Sequence, residues 1–258
     1  MGDEKIKLTI CGEEKEYEKG TQFIQIAQEY QNRYPDDIVL VAVNNRLREL
    51  HKKVKRAGEL TFITTKDVIG RKTYRRSVTL LMQKALYNLL GKEKSTVYVK
   101  HCISQAYYCE LVQYKRPDEA FLQKLKEEML KMAEEQIPIY KECIGTDEAV
   151  ELFHGLGMPQ KECLLRYRRS SKVNTYSLDG YRDYFYGYMT IHTGYLKYFD
   201  LQLFGDGFVL MFPNHNTKET APFCPSEKYY ATLSQSREWG RTLGVHTVGS
   251  LNNAIVSG

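Results

Sequence analysis

The sequence has no run of apolar residues that approaches the roughly 20 needed for a membrane-spanning helix. Its first ten residues, MGDEKIKLTI, carry acidic side chains and begin a strand pattern, which is not the character of a signal peptide. Ile6 stands where N-myristoylation after Gly2 requires Ser or Thr. These absences predict a cytoplasmic protein with no membrane partner.

Several catalytic templates are also missing. The nearest approach to a phosphate-binding Gly-x-x-x-x-Gly-Lys-Ser/Thr loop is Gly91-Lys92, which has Leu86 where the first glycine belongs and Glu93 after the lysine. No Gly-x-Ser-x-Gly or His-Glu-x-x-His occurs, and the six cysteines form no Cys-x-x-Cys pair, which favours reduced thiols packed as small hydrophobic groups. The sequence therefore predicts no catalytic residue, metal or cofactor in this chain.

The positive charge is modest in total but unevenly distributed. With 37 Lys and Arg against 32 Asp and Glu, the net charge is +5. Six basic residues lie within residues 46–56, where Glu49 is the only acid. Two further groups follow at residues 71–76 and 166–172. Such clusters either attract phosphate groups or form solvated strand and helix faces, and the sequence leaves both open.

Residues 5–65 alternate short strands with one helix. Ile6–Ile10 alternates as a strand, Gly12 makes a turn, and Glu14–Tyr17 returns as the second arm of a hairpin. Thr21 is expected to cap a helix with its apolar residues at helical spacing, from Phe23 to Tyr30. Three more strands are predicted at residues 38–43, 47–50 and 60–63. This pattern predicts a ubiquitin-like β-grasp.

The remainder predicts helices packed on an antiparallel sheet, hence an α+β domain. Helices are expected at residues 71–90, from Pro117 to about Gln136, and at residues 147–156 behind a Thr146 cap. Strands are expected at residues 96–100, 105–112, 164–168, 175–178, 196–203 and 208–212. The last two are joined by a Gly-Asp-Gly hairpin at residues 205–207.

Three segments resemble threonyl-tRNA synthetases: VNNRLREL at residues 43–50, LTFITTKD at residues 60–67 and KDVIGRKTYRRSVTLLM at residues 66–82. In that family a TGS domain precedes an editing-type domain, and the resemblance covers about residues 5–215. It implies a TGS β-grasp domain at residues 1–66. It also implies an editing-like α+β domain, of the threonyl/alanyl-tRNA synthetase second-additional-domain type, at residues 67–222.

Four positions that carry metal-type ligands in that family hold other residues here. The family's helix carries His-x-x-x-His, and this chain has Arg76 and Leu80 at those positions. The family's Cys-Arg-Gly-Pro-His-like stretch matches residues 183–189, where Phe185 and Met189 replace the cysteine and the histidine. A guanidinium has no lone pair to offer a metal. The resemblance therefore implies a degenerate zinc site without its hydrolytic groups.

The same comparison gives candidate binding residues: Arg75, Arg76, Asp183, Tyr186 and His192. Arg76 either pairs with Asp183 or binds an anionic ligand such as a nucleotide phosphate, because an uncompensated buried charge costs several kcal/mol. The aromatic residues between positions 181 and 199 either pack in the core or stack on bases. His192 is either a hydrogen-bonded structural histidine or a substitute ligand.

The C-terminal stretch, with FCPSEK at residues 223–228 and LSQSREWG at residues 233–240, resembles the segment before the P-loop domain of bacterial uridine-kinase-like nucleoside kinases. This implies that residues 223–258 connect to a C-terminal kinase domain as a partner, to which ATP and Mg²⁺ belong. The main prediction is a non-catalytic nucleotide- or RNA-binding regulatory region of such a kinase. Two alternatives are a free-standing editing domain that hydrolyses mischarged tRNA and a structural partner-binding module.

Overall fold

The computed structural model describes residues 4–114, 116–214, 217–220, 222–245 and 247–257. Within these ranges the chain has an α+β fold with three separate sheets. The strands are β1 (Lys5–Ile10), β2 (Glu13–Glu18), β3 (Ile38–Val43), β4 (Arg46–Glu49), β5 (Gly58–Thr64), β6 (Val97–Ile103), β7 (Ala106–Leu111), β8 (Ile139–Gly145), β9 (Lys172–Leu178), β10 (Tyr181–Tyr184), β11 (Asp200–Phe204) and β12 (Gly207–Met211). The helices are α1 (Phe23–Tyr30), α2 (Val68–Lys94), α3 (Glu119–Glu134), α4 (Thr146–Gly155), α5 (Pro159–Arg166), α6 (Glu227–Thr242) and α7 (Val248–Ser257).

The N-terminal sheet has the order β2-β1-β5-β3-β4. The central strand β5 pairs parallel to β1 and antiparallel to β3. Helix α1 buries Phe23, Ile26 and Tyr30 in one cluster with the inward residues of the strands, among them Leu8 and Leu60. The hairpin, the helix and the central parallel strand match the arrangement predicted for a β-grasp. Its assignment to the TGS family stays a prediction, and Gly2 lies outside the described residues.

Helix α2 joins this sheet to the rest of the molecule. Asp67 precedes the helix, and its carboxylate accepts a hydrogen bond from the Thr64 backbone N–H at 2.7 Å, which holds the helix start against the end of β5. Along its length α2 contacts β3 and β5, then α3, β9 and β10. Gly91, with φ 74° and ψ 174°, breaks the helix where the sequence predicted its end. Because α2 contacts both the N-terminal sheet and the sheet that contains β9 and β10, its residues 71–80 lie between these two sheets.

The other two sheets are antiparallel, with the orders β11-β12-β7-β6 and β10-β9-β8. The largest core joins α2 and α3 to both sheets and includes Leu81, Leu125, Met129 and Phe208. The helix predicted from Pro117 and the hairpin between β11 and β12 are therefore confirmed.

The strand predicted at residues 164–168 is wrong, because these residues lie in and just beyond α5. Leu164 and Leu165 form a short apolar run, and such a run does not distinguish a strand from a buried helical turn. Leu165 is buried in a cluster with Phe153 of α4. The signal that favours the helix is Pro159, which occupies its first position.

Other differences concern element boundaries. Strand β11 begins at Asp200 rather than at residue 196, and a short 3₁₀ turn lies before it at residues 193–195. The caps of α1 and α4 are Gln22 and Gly145, each one residue away from the predicted caps Thr21 and Thr146. Helix α3 begins at Glu119, two residues after the predicted start at Pro117. Strands β8 and β10 were not predicted.

Residues 223–258, predicted as a connector, contain α6 and α7. Tyr230 of α6 packs against Phe204 with ring centroids 4.7 Å apart, and Arg237 pairs with Glu110 of β7. Helix α7 contacts α5. The role of this segment as a connector and the domain boundaries at residues 66 and 222 stay predictions. Among the described residues, no helix combines the length and apolar character required to cross a membrane.

Gly70 allows the first turn of α2 to pack on the end of β5, because a Cβ at this position would lie 1.8 Å from the Thr64 carbonyl oxygen. We expect Gly70→Ala to lower the free energy of unfolding by about 1–3 kcal/mol through overpacking, as measured by urea denaturation. Gly155→Ala in α4 is the control, because a Cβ there meets nothing within 4 Å. Equal effects of the two substitutions would contradict this account of the junction.

Candidate functional site

The four positions that match family ligands come together beside α2. Arg76 and Leu80 lie one turn apart on α2, whereas Phe185 and Met189 lie on the loop that follows β10. Leu80 and Met189 belong to the largest buried core, and Phe185 packs against it. The Ser77 hydroxyl lies 3.4 Å from the Met189 sulfur, which joins helix and loop. Apolar side chains therefore occupy three of the four positions.

Arg76 lies at the edge of this apolar cluster. Its Nη1 donates a hydrogen bond to the Tyr188 carbonyl oxygen. The guanidinium packs against Gly187, where a Cβ would lie 2.5 Å from Arg76 Cζ, and Gly187 has a φ of 132° that favours glycine. Burial lowers the pKa of Arg76, and the nearby Glu49 carboxylate opposes that effect. Arg76 thus holds the backbone of the loop that carries Phe185 and Met189.

Of the two alternatives that the sequence left open for Arg76, the pair with Asp183 is wrong, because Asp183 has other partners. Asp183 is 1% exposed, and its carboxylate pairs with Lys161 of α5 and accepts a hydrogen bond from the Tyr184 backbone N–H. The cation that compensates Asp183 therefore comes from the segment that the sequence predicted as part of a loop before a strand. The spacing of the matched residues at positions 183–189 gives no signal for a helix at Pro159–Arg166.

A buried ionic network joins the N-terminal sheet to the loop. Glu49, at the end of β4, is 3% exposed, and its carboxylate lies 2.9 Å from Lys141 Nζ. The Tyr176 hydroxyl lies 2.7 Å from Glu49 Oε1, and the Met189 backbone N–H donates to the same oxygen at 3.3 Å. Burial and the Glu49 charge both raise the pKa of Tyr176, so this hydroxyl stays a donor.

Sequence analysis did not assign a role to Glu49. The available signal was its position as the single acid among six basic residues, since an isolated acid in such a run is a candidate for a buried ion pair. Its partners, Lys141 and Tyr176, are 92 and 127 residues away along the chain. No local pattern connects them.

The other candidate residues lie in different surroundings. Tyr186 is 82% exposed, and Arg168 Cζ lies 6.0 Å from its ring centroid. His192 Nδ1 accepts a hydrogen bond from the Gly194 backbone N–H at 3.1 Å, and burial lowers the pKa of this histidine. Its contacts favour the structural interpretation of His192. The five predicted binding residues therefore do not form one pocket.

Arg75 faces away from the matched positions and lines a cleft between the N-terminal sheet and the rest of the molecule. Its guanidinium carbon lies 5.1 Å from the centroid of the Phe212 ring. The cleft is also lined by Asp36, Lys66 and Tyr198. Cationic, anionic and aromatic side chains therefore line one cleft, and no sequence pattern predicted this cleft.

Among the described residues, no group of three or more His, Cys, Asp or Glu side chains is arranged to hold a metal ion. That the chain binds no cofactor stays a prediction.

Comparison with known proteins gives threonine–tRNA ligases as relatives. The chain is 29% identical over 199 residues to the threonine–tRNA ligase of Thermotoga neapolitana, which covers 76% of this chain and 30% of the relative. It is 26% identical over 194 residues to that of Carboxydothermus hydrogenoformans, with 73% and 30% covered. The enzyme of Aquifex aeolicus is 27% identical over 154 residues. No family model matches the chain.

The matched region thus spans about 30% of the length of the first of these relatives. The similarity confirms that this chain resembles one region of threonyl-tRNA synthetases. It gives no support to the kinase resemblance of residues 223–258. A kinase domain as partner, with its ATP and Mg²⁺, therefore stays a prediction.

We expect Glu49→Ala to lower the free energy of unfolding by about 3–5 kcal/mol, because it leaves the largely buried Lys141 ammonium without its partner. Urea denaturation followed by circular dichroism measures the change. Glu59→Ala, at an exposed position of β5, is the matched control and should change the value by less than about 0.5 kcal/mol. If Glu49→Ala costs no more than the control, the network does not stabilise the fold.

Arg76→Ala separates a structural arginine from a ligand-binding one. Loss of the charged donor to Tyr188 should cost about 1.5–3 kcal/mol of unfolding free energy and leave nucleotide and tRNA affinity unchanged. Lys72→Ala, on the exposed side of α2, is the control for charge. Unchanged stability with weakened binding of an anionic ligand would instead support the ligand interpretation.

Proposed function

We propose that this chain is a tRNA-binding region of the threonyl-tRNA-synthetase type that acts by binding rather than by hydrolysis. One observation carries the proposal. In a chain similar to threonine–tRNA ligases over 76% of its length, Leu80 and Met189 at the matched ligand positions are buried core residues. Hydrolysis of an aminoacyl ester requires a positioned water and a group that activates it. Packed apolar side chains supply neither.

Surface charge supports binding to a polyanion. The exposed basic residues of β4 and the following segment form a basic patch, which we define as Arg46, Arg48, Lys52, Lys53, Lys55 and Arg56. Each lysine or arginine that contacts a phosphate releases condensed counterions, so binding should weaken as salt rises. The exposed Tyr186 beside Arg168 adds a ring on which an unpaired base can stack.

Editing of mischarged tRNA is the second candidate function, and the similarity to threonine–tRNA ligases favours it over a kinase region. It requires catalytic groups other than those at the four matched positions. Deacylation therefore separates the two candidates directly.

The test uses the purified chain with threonine tRNA and, separately, with mischarged threonine tRNA. We expect binding at low salt, no deacylation above the buffer rate, and less than stoichiometric zinc by elemental analysis. Changing Lys52, Lys53, Lys55 and Arg56 to Gln should weaken tRNA binding by about tenfold or more and flatten its salt dependence.

A control variant neutralises the same number of exposed basic residues elsewhere: Lys92, Lys94, Lys124 and Lys131. Its tRNA affinity should stay within about threefold of the parent, because only nonspecific attraction is lost. Failure of the parent chain to bind tRNA at low salt would contradict the proposal. Enzyme-dependent deacylation would favour editing instead.

A further inference from the structure

A cleft of about 340 Å³ lies between the N-terminal sheet and the rest of the molecule. Its walls come from the turn at residues 35–37, the β5–α2 junction, the first turns of α2, and residues 198, 212–214, 217 and 218. The volume falls within the range of about 300–1,000 Å³ that small-molecule sites occupy. None of the four matched positions lines this cleft, so it is a separate place on the molecule.

Cations predominate among the lining side chains. Lys66, Arg71, Arg75 and Lys218 face Asp36 and Asp37 across a common space. Of these, Arg75 is held in position, because its guanidinium lies over the Phe212 ring. Burial raises the pKa of Tyr107, and the Arg75 charge opposes that rise. A guanidinium fixed in this way is suited to bind phosphate oxygens through paired N–H groups.

The carboxylates of Asp36 and Asp37 give the cleft a second kind of polar group. Both line the same cleft as the cations. A site for inorganic phosphate alone would be weakened by two carboxylates. The same carboxylates can accept hydrogen bonds from the hydroxyl groups of a sugar.

An aromatic wall completes the cleft. The Tyr198 backbone N–H donates to the Tyr74 hydroxyl at 2.9 Å, and that hydroxyl lies 2.9 Å from the Tyr198 carbonyl oxygen. These contacts hold Tyr198 against α2 while its ring lines the cleft, with Lys218 Nζ 5.5 Å from the ring centroid. A tyrosine ring can stack on any nucleic-acid base, because every base has a π-face.

We propose that this cleft binds one nucleotide. Arg75, Lys66 and Lys218 bind its phosphate, Asp36 and Asp37 accept hydrogen bonds from the ribose hydroxyls, and Tyr198 packs against the base. The nucleotide is either a free mononucleotide or the terminal nucleotide of an RNA strand. This inference goes beyond the proposed function, because a free nucleotide can occupy the cleft whether or not the chain binds tRNA.

Isothermal titration of the full chain at low salt tests the cleft with four probes: AMP, 2′,3′-dideoxy-AMP, inorganic phosphate, and a short RNA duplex with a single-stranded 3′ end. We expect Lys66→Gln together with Lys218→Gln to weaken AMP or RNA binding by about tenfold. Asp37→Asn should weaken binding of the ribonucleotide and leave the dideoxynucleotide unaffected. Lys72→Gln, an exposed α2 residue outside the cleft, is the matched control and should change nothing.

The outcomes distinguish the sources and the two proposals. AMP binding that depends on Lys66 and Lys218 assigns a free nucleotide, whereas RNA binding alone with that dependence assigns a strand terminus. Phosphate binding as tight as AMP binding, or no binding of any probe, would overturn the cleft proposal. If the cleft variant keeps the parent's affinity for both AMP and the RNA probe while the basic-patch variant loses tRNA affinity, the proposed function survives and the cleft proposal falls.

Discussion

The orientation of the N-terminal sheet against the rest of the molecule depends on one buried carboxylate. Glu49 leaves water almost completely, and removing a charge from water costs several kcal/mol unless hydrogen bonds and an opposite charge compensate it. Lys141, Tyr176 and the Met189 backbone N–H supply that compensation together. Because the partners must all be within hydrogen-bonding distance, the network favours one orientation of β4 against the loop at residues 185–189.

That orientation carries the remaining features of the site. The loop is held from one side by Glu49 and from the other by Arg76, which packs on Gly187 and donates to the Tyr188 carbonyl oxygen. The cleft lined by Arg75 lies between the same two parts of the molecule, with α2 as one wall. The adjacent Arg75 and Arg76 of α2 therefore lie in different surroundings, since successive helical residues point about 100° apart. Arg76 fastens a loop, and Arg75 faces open space.

Sequence analysis predicted the elements whose signals are local. The strand at residues 38–43 follows from a continuous apolar run that ends at Asn44-Asn45, and α3 follows from helical periodicity. The break at Gly91 follows from the conformational freedom of glycine. It failed at α5, where a short apolar run has no distinguishing period. It also missed the partner of Asp183, because Lys161 lies in that helix. The Glu49 network joins residues too distant in the chain for any local rule.

Filling a polar pocket with apolar side chains changes what a scaffold can do. A hydrolytic centre needs a water molecule held by polar groups, and the buried Leu80 and Met189 side chains give it no such partners. The same side chains stabilise the fold, since burying one of this size contributes about 1.5–3 kcal/mol. Binding of a polyanion has no comparable requirement for a buried catalytic geometry, because it depends on exposed cations that a rigid sheet or helix presents. The buried Leu80 and Met189 side chains are compatible with the proposed function, since that function requires of the core only that it support the exposed cations of the basic patch.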